Sequence, residues 1–262
     1  MAELMKGKRG LIMGVANERS IAWGIAKALA AEGAELAFSY QGEAFGKRVA
    51  PLAESVGSDF LVDVDVTDDA SLDAAFGEIE KRWGKLDFVV HAIAFSDKNE
   101  LTGRFINTSR ENFKTSLVIS CYSLIDVARR ARPLMTDGGS IITLTYQGSN
   151  KVTPFYNVMG VAKAALEAAT RYAARDLGPQ GIRVNAISAG AMRTLSLAGI
   201  RGGKSLMGTG RDWSLLKEDT RMEGVAGAAL YLLSELGHSV AGEVHHVDAG
   251  FHVVGVPDLP ED

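Results

Sequence analysis

The chain has 262 residues, 47% apolar and 23% charged, which is ordinary globular composition and room for one large α/β domain or two small ones. No stretch approaches the roughly 18 uninterrupted apolar residues of a membrane span, and the first residues lack a long apolar run after their charges, so neither a membrane anchor nor a secretory signal is expected. A net charge of −4 argues against general nucleic-acid binding, and the single Cys121 excludes an internal disulfide and a multi-cysteine metal site, so the expected compartment is the cytoplasm.

Short apolar runs predict strands over 10–13, 36–40, 60–64, 88–92, 140–144, 183–187 and 244–247. Amphipathic stretches between them predict helices over 21–31, 43–54, 71–83, 110–131, 156–177 and 222–234. The strands are apolar on both faces, as strands of a doubly covered parallel sheet should be. Their alternation with helices predicts one α/β domain over 1–262, a Rossmann-like doubly wound parallel sheet with helices on both faces. Residues 194–215 break the alternation, with Gly199, Gly202, Gly203, Gly208 and Gly210 among cations and Leu, Met and Trp side chains. Loops longer than about 12 residues are usually functional or disordered. This one reads as a substrate-covering flap with room for a short helix; the alternative is a mobile surface insertion.

The first predicted strand runs into Gly14, and Ser20 and Gly24 follow. This is not the G-x-G-x-x-G dinucleotide fingerprint. Gly14 nevertheless sits where the chain must turn sharply out of a strand. Ser20 can cap the next helix and donate to a phosphate at its positive end, and Gly24 lets that helix approach the sheet. At the end of the second strand, where NAD binders place an acid, stand Tyr40, Gln41 and Gly42. Gln41 can hydrogen-bond a ribose hydroxyl, and the nearest following cations, Lys47 and Arg48, are further along, so NADH is favoured over NADPH. Asp65 and Val66, just after the third strand, are placed to meet the adenine ring; the alternative for Asp65 is a helix cap.

Tyr156 and Lys163 are seven positions apart, about two turns if the segment is helical, so both side chains would leave one face. The ammonium would then favour the phenolate and lower the tyrosine pKa. His91 reads as a buried, hydrogen-bonded histidine, Cys121 as a buried structural thiol, and Asn185 as a strand–loop hydrogen-bonder. His245 and His246 are adjacent in a strand and face opposite sides, which disfavours a shared metal; no metal site is expected.

Together these segments resemble the short-chain dehydrogenase/reductase superfamily and, more narrowly, the bacterial NADH-dependent enoyl-acyl-carrier-protein reductases. The resemblance covers essentially the whole chain. It rests on Gly14-x5-Ser20-Ile21-Ala22-Trp23-Gly24, the run from Gly33 to Phe38, Tyr156-Asn157-Val158-Met159-Gly160-Val161-Ala162-Lys163, the run from Arg183 to Gly190, and Arg193-Thr194-Leu195. Its most specific element is Tyr146 ten residues before Tyr156, where most short-chain dehydrogenases carry a Ser. The rivals it disfavours are a 3-oxoacyl or other carbonyl reductase and a dinucleotide sensor without turnover.

The resemblance implies NADH-dependent reduction of trans-2-enoyl thioesters in fatty-acid synthesis. It implies catalytic roles for Tyr146, Tyr156 and Lys163. Cofactor contacts would come from Gly14, Ser20, Ile21, Gln41, Asp65, Val66, Ile93 and Lys163, and from Met192, Arg193, Thr194, Leu195 and Ser196. Substrate contacts would come from Ser96, Tyr146 and Tyr156. The implied partner is an acyl carrier protein, and the implied assembly a homotetramer. Ala94, Ala191 and Ala249 depart from the family's usual residues and bear on cofactor affinity rather than on reaction type.

Overall fold

Strands that are apolar on both faces must be covered on both. In the computed structural model, which describes residues 3–258 apart from the Ser196 side chain, seven strands meet this demand in one sheet. They are β1 (Arg9–Met13), β2 (Glu35–Tyr40), β3 (Phe60–Asp63), β4 (Phe88–His91), β5 (Gly139–Thr145), β6 (Ile182–Ala189) and β7 (Val244–Val247). All neighbours pair in parallel, in the order β3-β2-β1-β4-β5-β6-β7. The helices are α1 (Ile21–Ala31), α2 (Gly42–Ser55), α3 (Asp69–Trp83), α4 (Lys98–Leu101), α5 (Arg110–Leu117), α6 (Ser123–Ala131), α7 (Val158–Leu177), α8 (Leu195–Ala198), α9 (Gly203–Trp213) and α10 (Met222–Leu233).

Along β1, Leu11 and Met13 face a core closed by α3, α6 and α7, while Ile12 faces the opposite core under α1, α2 and α10. That alternation is the two-residue period of a strand serving two layers. Fully buried side chains such as Phe38 and Phe88 each contribute about 1.5–3 kcal/mol of transfer free energy. The chain reverses direction across the sheet between β1 and β4, so the crevice for a ligand opens beyond the carboxyl ends of those strands.

The predicted strands are all present, with ends moved by a residue or two. Four other expectations need correction. The helix predicted over 110–131 is broken by a π-helical segment, Val118–Tyr122. There Ser123 Oγ donates to Ile119 O at 2.6 Å, and Ser120 Oγ bonds both the N–H and the carbonyl of Phe95, so hydroxyls compete with the helical ladder. Cys121 lies in this segment and is half-buried rather than buried. The helix predicted from Tyr156 begins at Val158. The backbone at Phe155 and Asn157 is left-handed, with φ of 61° and 40°, so Tyr156 sits in a turn and not on the helix. Gly24 meets α10 rather than the sheet, since a Cβ there would lie 2.2 Å from Met222 Sδ.

Residues 194–215 hold two helices, α8 and α9, where at most one short helix was expected. Ala249 lies in the left-handed region at φ 58°, followed by Gly250 at φ 82°. A β-carbon in that conformation costs about 1–2 kcal/mol. Ala249→Gly should therefore stabilise the protein by about 1 kcal/mol, less the entropy a glycine brings, and raise Tm by about 2–4 °C. Thermal unfolding measures this, and a variant that melts at or below the wild type refutes it.

Candidate active site

The turn after β1 is set by Gly14 at φ 96°, where a Cβ would come within 2.1 Å of the Ala92 carbonyl oxygen. No side chain fits there, and the backbone passes close against the end of β4. Ser20 stands at the N-cap of α1, but its side chain does not cap the helix. Its Oγ turns back and accepts from the N–H groups of Ala16 and Asn17 at 3.0 and 3.1 Å, ordering the turn. The hydroxyl retains its own proton as a donor at the helix's positive end, where Ile21 begins α1.

At the ends of β2 and β3, Gln41 Nε2 donates to Asp65 Oδ2 at 3.0 Å. Asp65 Oδ1 accepts from the N–H and hydroxyl of Thr67, and these bonds, joined by that of Gln41, hold its carboxyl below the ordinary range. Asp65 thus closes a turn, and the α3 cap belongs to Asp68, which accepts from Ala70 N–H. Val66 and Ile93 are half-buried and both pack on the α3–α6 side of the sheet.

The centre of the site lies past β5. The rings of Tyr146 and Tyr156 meet edge-to-face with centroids 5.1 Å apart. Tyr156 is 7% exposed and Lys163 6%. Lys163 Nζ donates to Leu144 O at 2.7 Å, and one turn further along α7 Glu167 accepts from Thr145 Oγ1 at 2.6 Å. Burial pulls the Lys163 ammonium down to about 8, against opposition from Cys121 and Glu167. Burial also pushes Tyr156 well above the usual phenol range, reinforced by Tyr146 and Glu167. The expectation of a lowered tyrosine pKa is therefore corrected: desolvation outweighs the ammonium, whose hydrogen bond goes to a carbonyl, and the phenol keeps its proton. Tyr146 is likewise raised by burial.

Ser96 Oγ donates to Asn112 Oδ1 at 3.2 Å and accepts from Ser116 Oγ at 3.0 Å, so it is tied to α5. Met192 is buried in the α1–α10 core, Arg193 and Leu195 are exposed, and Thr194 Oγ1 accepts from Leu197 N–H. Ser196, expected in the same segment, has its side chain outside the described residues. Ala191 and Gly190 line a small cavity with Tyr146, Leu206, Met207 and Phe251, which sets the 194–215 segment beside the tyrosine pair. Ala94 is exposed in the turn after β4.

Several expectations hold. His91 is fully buried, its ring nitrogens facing Thr143 Oγ1 at 3.0 Å and Ser123 Oγ at 2.8 Å, and burial pulls its pKa down to about 3. Asn185 bridges β6 to the segment before β7 through Val240 O and Glu243 N–H. His245 packs against Tyr231 and His246 stacks on His252, so the adjacent pair do point apart. Sequence reasoning missed Glu167, although its place four residues past Lys163 on one helical face was a usable signal. It also missed Leu101 and Met159, which pack around Tyr156, and the left-handed residues Phe155 and Asn157, which no glycine marks.

The chain is similar to known proteins over nearly its whole length. A family model described as enoyl-(acyl carrier protein) reductase matches residues 14–252. An enoyl-acyl-carrier-protein reductase (NADH) of Rhizobium meliloti is 59% identical over 99% of this chain and 97% of its own. A crystal structure of the enoyl-(acyl-carrier-protein) reductase of Anaplasma phagocytophilum in complex with NAD superposes with a TM-score of 0.95, at 57% identity and 98% coverage of each chain. FabI of Candidatus Liberibacter asiaticus gives a TM-score of 0.97 at 53% identity, covering 98% of this chain and 100% of that one.

The depressed Lys163 makes a stability prediction. Between about 8, its value in the fold, and 10.5, its ordinary value, the unfolded chain binds the proton that the folded chain releases. Stability contributed by this site therefore rises with pH across that window. Urea unfolding near the two ends of the window should show this gain in the wild type relative to Lys163→Met. Parallel pH profiles for the two proteins would mean that Lys163 titrates normally.

Proposed function

The chain belongs to the enoyl-(acyl carrier protein) reductase family, and from that premise we propose how its residues carry out NADH-dependent reduction of trans-2-enoyl thioesters. The observation that carries the reading is the tyrosine pair at the end of β5 with the buried Lys163 behind it. The residues present fit a dinucleotide. A turn that excludes any Cβ at Gly14, a donor hydroxyl at Ser20 and the amino end of α1 form a pyrophosphate cradle. Gln41 and Asp65, already joined, offer the adenosine an amide and a carboxylate, and Val66 and Ile93 supply apolar walls. The Asp65 charge would repel a 2′-phosphate, which supports NADH over NADPH. Met192, Arg193, Thr194, Leu195 and Ser196 would close on the nicotinamide end.

When bound, NADH supplies the hydride that adds to the β-carbon of the enoyl thioester. Negative charge then gathers on the thioester oxygen, and a phenol that keeps its proton is the right group to meet it. Tyr156 donates a hydrogen bond to that oxygen, and its burial keeps competing water away. Lys163 would orient the nicotinamide ribose and leave a positive charge close to the developing anion. The enolate would collapse as the α-carbon takes one proton that comes ultimately from solvent, completing the addition of a hydride and a proton across the double bond. Tyr146 lines the acyl pocket and fixes the Tyr156 ring through their edge contact, and Ser96 borders the substrate from the loop after β4.

The 194–215 segment acts as the cover of the acyl site, in a chain read as one catalytic domain over 1–262. Exposed Phe113, Val118, Tyr122 and Ile125 along the α5–α6 face, with exposed Tyr172 on α7, support burial against further copies in a homotetramer. Among the described residues no helix is long and apolar enough to cross a membrane, and the proposed compartment is the cytoplasm. No nucleic-acid partner is proposed.

Tyr156→Phe should lower turnover of a crotonyl thioester by roughly 10²–10³ while NADH affinity stays near wild type, because one oxyanion donor is lost and the cofactor only neighbours it. Wild-type turnover in this variant, measured by loss of reduced-nicotinamide absorbance, sinks the assignment.

The partner we propose is an acyl carrier protein, an acidic protein that must dock on a chain itself net negative, through a local basic patch. Arg201 and Lys204 are exposed in the covering segment, with the Arg201 guanidinium 5.5 Å from the Phe155 ring centre. Reversing both to Glu should raise KM for a carrier-bound enoyl substrate and affect crotonyl-CoA less. If both substrates behave as with the wild type, docking lies elsewhere on the surface.

A further inference from the structure

Tyr156 is flanked by two residues in the left-handed region, and neither is glycine. Asn157, at φ 40° and ψ −122°, occupies the N-cap position of α7, yet its side chain makes no capping bond there. It reaches across to the loop after β4. Asn157 Nδ2 lies 2.9 Å from Gly103 O, 3.2 Å from Leu101 O and 3.4 Å from Glu100 O. All three neighbours are carbonyl oxygens, so the amide must present its NH₂ to them. The last carbonyls of any helix lack partners within it, and four-residue α4 has little else to satisfy them. Asn157 therefore acts as a capping group for the carboxyl end of α4, supplied from a remote turn.

The segment it grips is otherwise closed on itself. Both Glu100 carboxylate oxygens accept from Ser109, one from its N–H at 2.8 Å and one from its hydroxyl at 2.7 Å. Leu101, inside the segment, is buried against Tyr156, Val158 and Met159. One amide thus joins a closed loop, which follows directly from Ser96, to the residue beside the catalytic phenol.

We propose that Asn157 is a positioning residue for the reduction: its amide clamps the 98–107 segment to the Tyr156 turn and holds the acyl-side wall and the phenol in register. This rests on the enoyl-reductase reading above. Asn157 acts through its neighbours, and Tyr156 remains the group that meets substrate.

Two variants separate the clamp from the backbone. Asn157→Asp keeps size and tolerance of positive φ but sets an acceptor against three carbonyls. Asn157→Gly removes the side chain and relieves the conformational cost. Both should lower kcat for a crotonyl thioester about tenfold, as the loosened turn weakens the phenol's bond to the oxyanion by about 1.4 kcal/mol, with NADH affinity unchanged. In both, amide hydrogen exchange should quicken over 98–107. Wild-type kcat in either variant, unchanged exchange there, or loss of kcat and NADH binding together would overturn the proposal. A wild-type protein that fails to reduce the thioester defeats the enoyl-reductase reading instead, and the exchange comparison still decides the clamp.

Discussion

Parallel strands cannot be joined by hairpins, so every connection in this sheet must cross over and return, and each strand ends at the same edge. The constraint gathers seven strand exits along one rim. Gly14 follows β1, Gln41 β2, Asp65 and Val66 β3, Ile93 β4, Tyr146 β5, Met192 β6 and Asp248 β7. The change of direction between β1 and β4 opens a crevice in that rim, and groups distant in sequence line it. Apolar burial on both faces makes the rim rigid. Leu11 and Met13 on one side and Ile12 on the other anchor the strand that leads into Gly14.

Electrostatics at the rim follow from burial more than from pairing. Lys163 and Tyr156 are both nearly inaccessible, and desolvation drives each toward its neutral form, the ammonium downward and the phenol upward. An ion pair between them would need the ammonium aimed at the phenol. Its hydrogen bond goes to Leu144 O, a carbonyl of the strand that carries Tyr146 into place. The result is a donor phenol beside a cation that is easily persuaded to lose its proton. With a value of about 8 the lysine still keeps its charge near neutral pH, so the pair sets a proton-bearing phenol and a cation on one rim.

The sheet and its layers could be read from the sequence because they depend on periodicities, whereas the candidate site residues came from the resemblance of particular segments. A strand apolar on both faces, or a helix with one apolar face, announces itself over many residues. The π-helical break at Val118–Tyr122 does not, since one of its two hydroxyl bonds, Ser120 to Phe95, forms only in the folded chain, while the other, Ser123 to Ile119, is local. The start of α7 was misplaced for a similar reason. Tyr-Asn-Val-Met is unremarkable as helix, and a left-handed Phe155 or Asn157 carries no glycine to mark it. The argument that puts Tyr156 and Lys163 on one helical face fails at its premise, for Tyr156 lies in the turn before α7. Glycines misled in the other direction: the five between 199 and 210 suggested a loop, yet Gly203, Gly208 and Gly210 lie within α9.

The turn before α7 is where three segments converge on Tyr156. A non-glycine residue held at positive φ costs about 1–3 kcal/mol, and it persists only where surrounding contacts over-determine it. Phe155 has the Arg201 guanidinium over its ring, and its edge lies 3.8 Å from where a Cβ on Gly202 would stand. Asn157 has the α4 carbonyls. Between them Tyr156 packs with Leu101 from the loop after β4, Ile200 from the covering segment and Tyr146 from the end of β5. Three segments that have no covalent reason to move together therefore share one small apolar cluster, and the phenol is its common member. Displacing any one of the three loosens the contacts that hold the flanking residues in their unfavourable conformations. The cost of strain then falls on the position of the phenolic oxygen, which depends on all three segments at once.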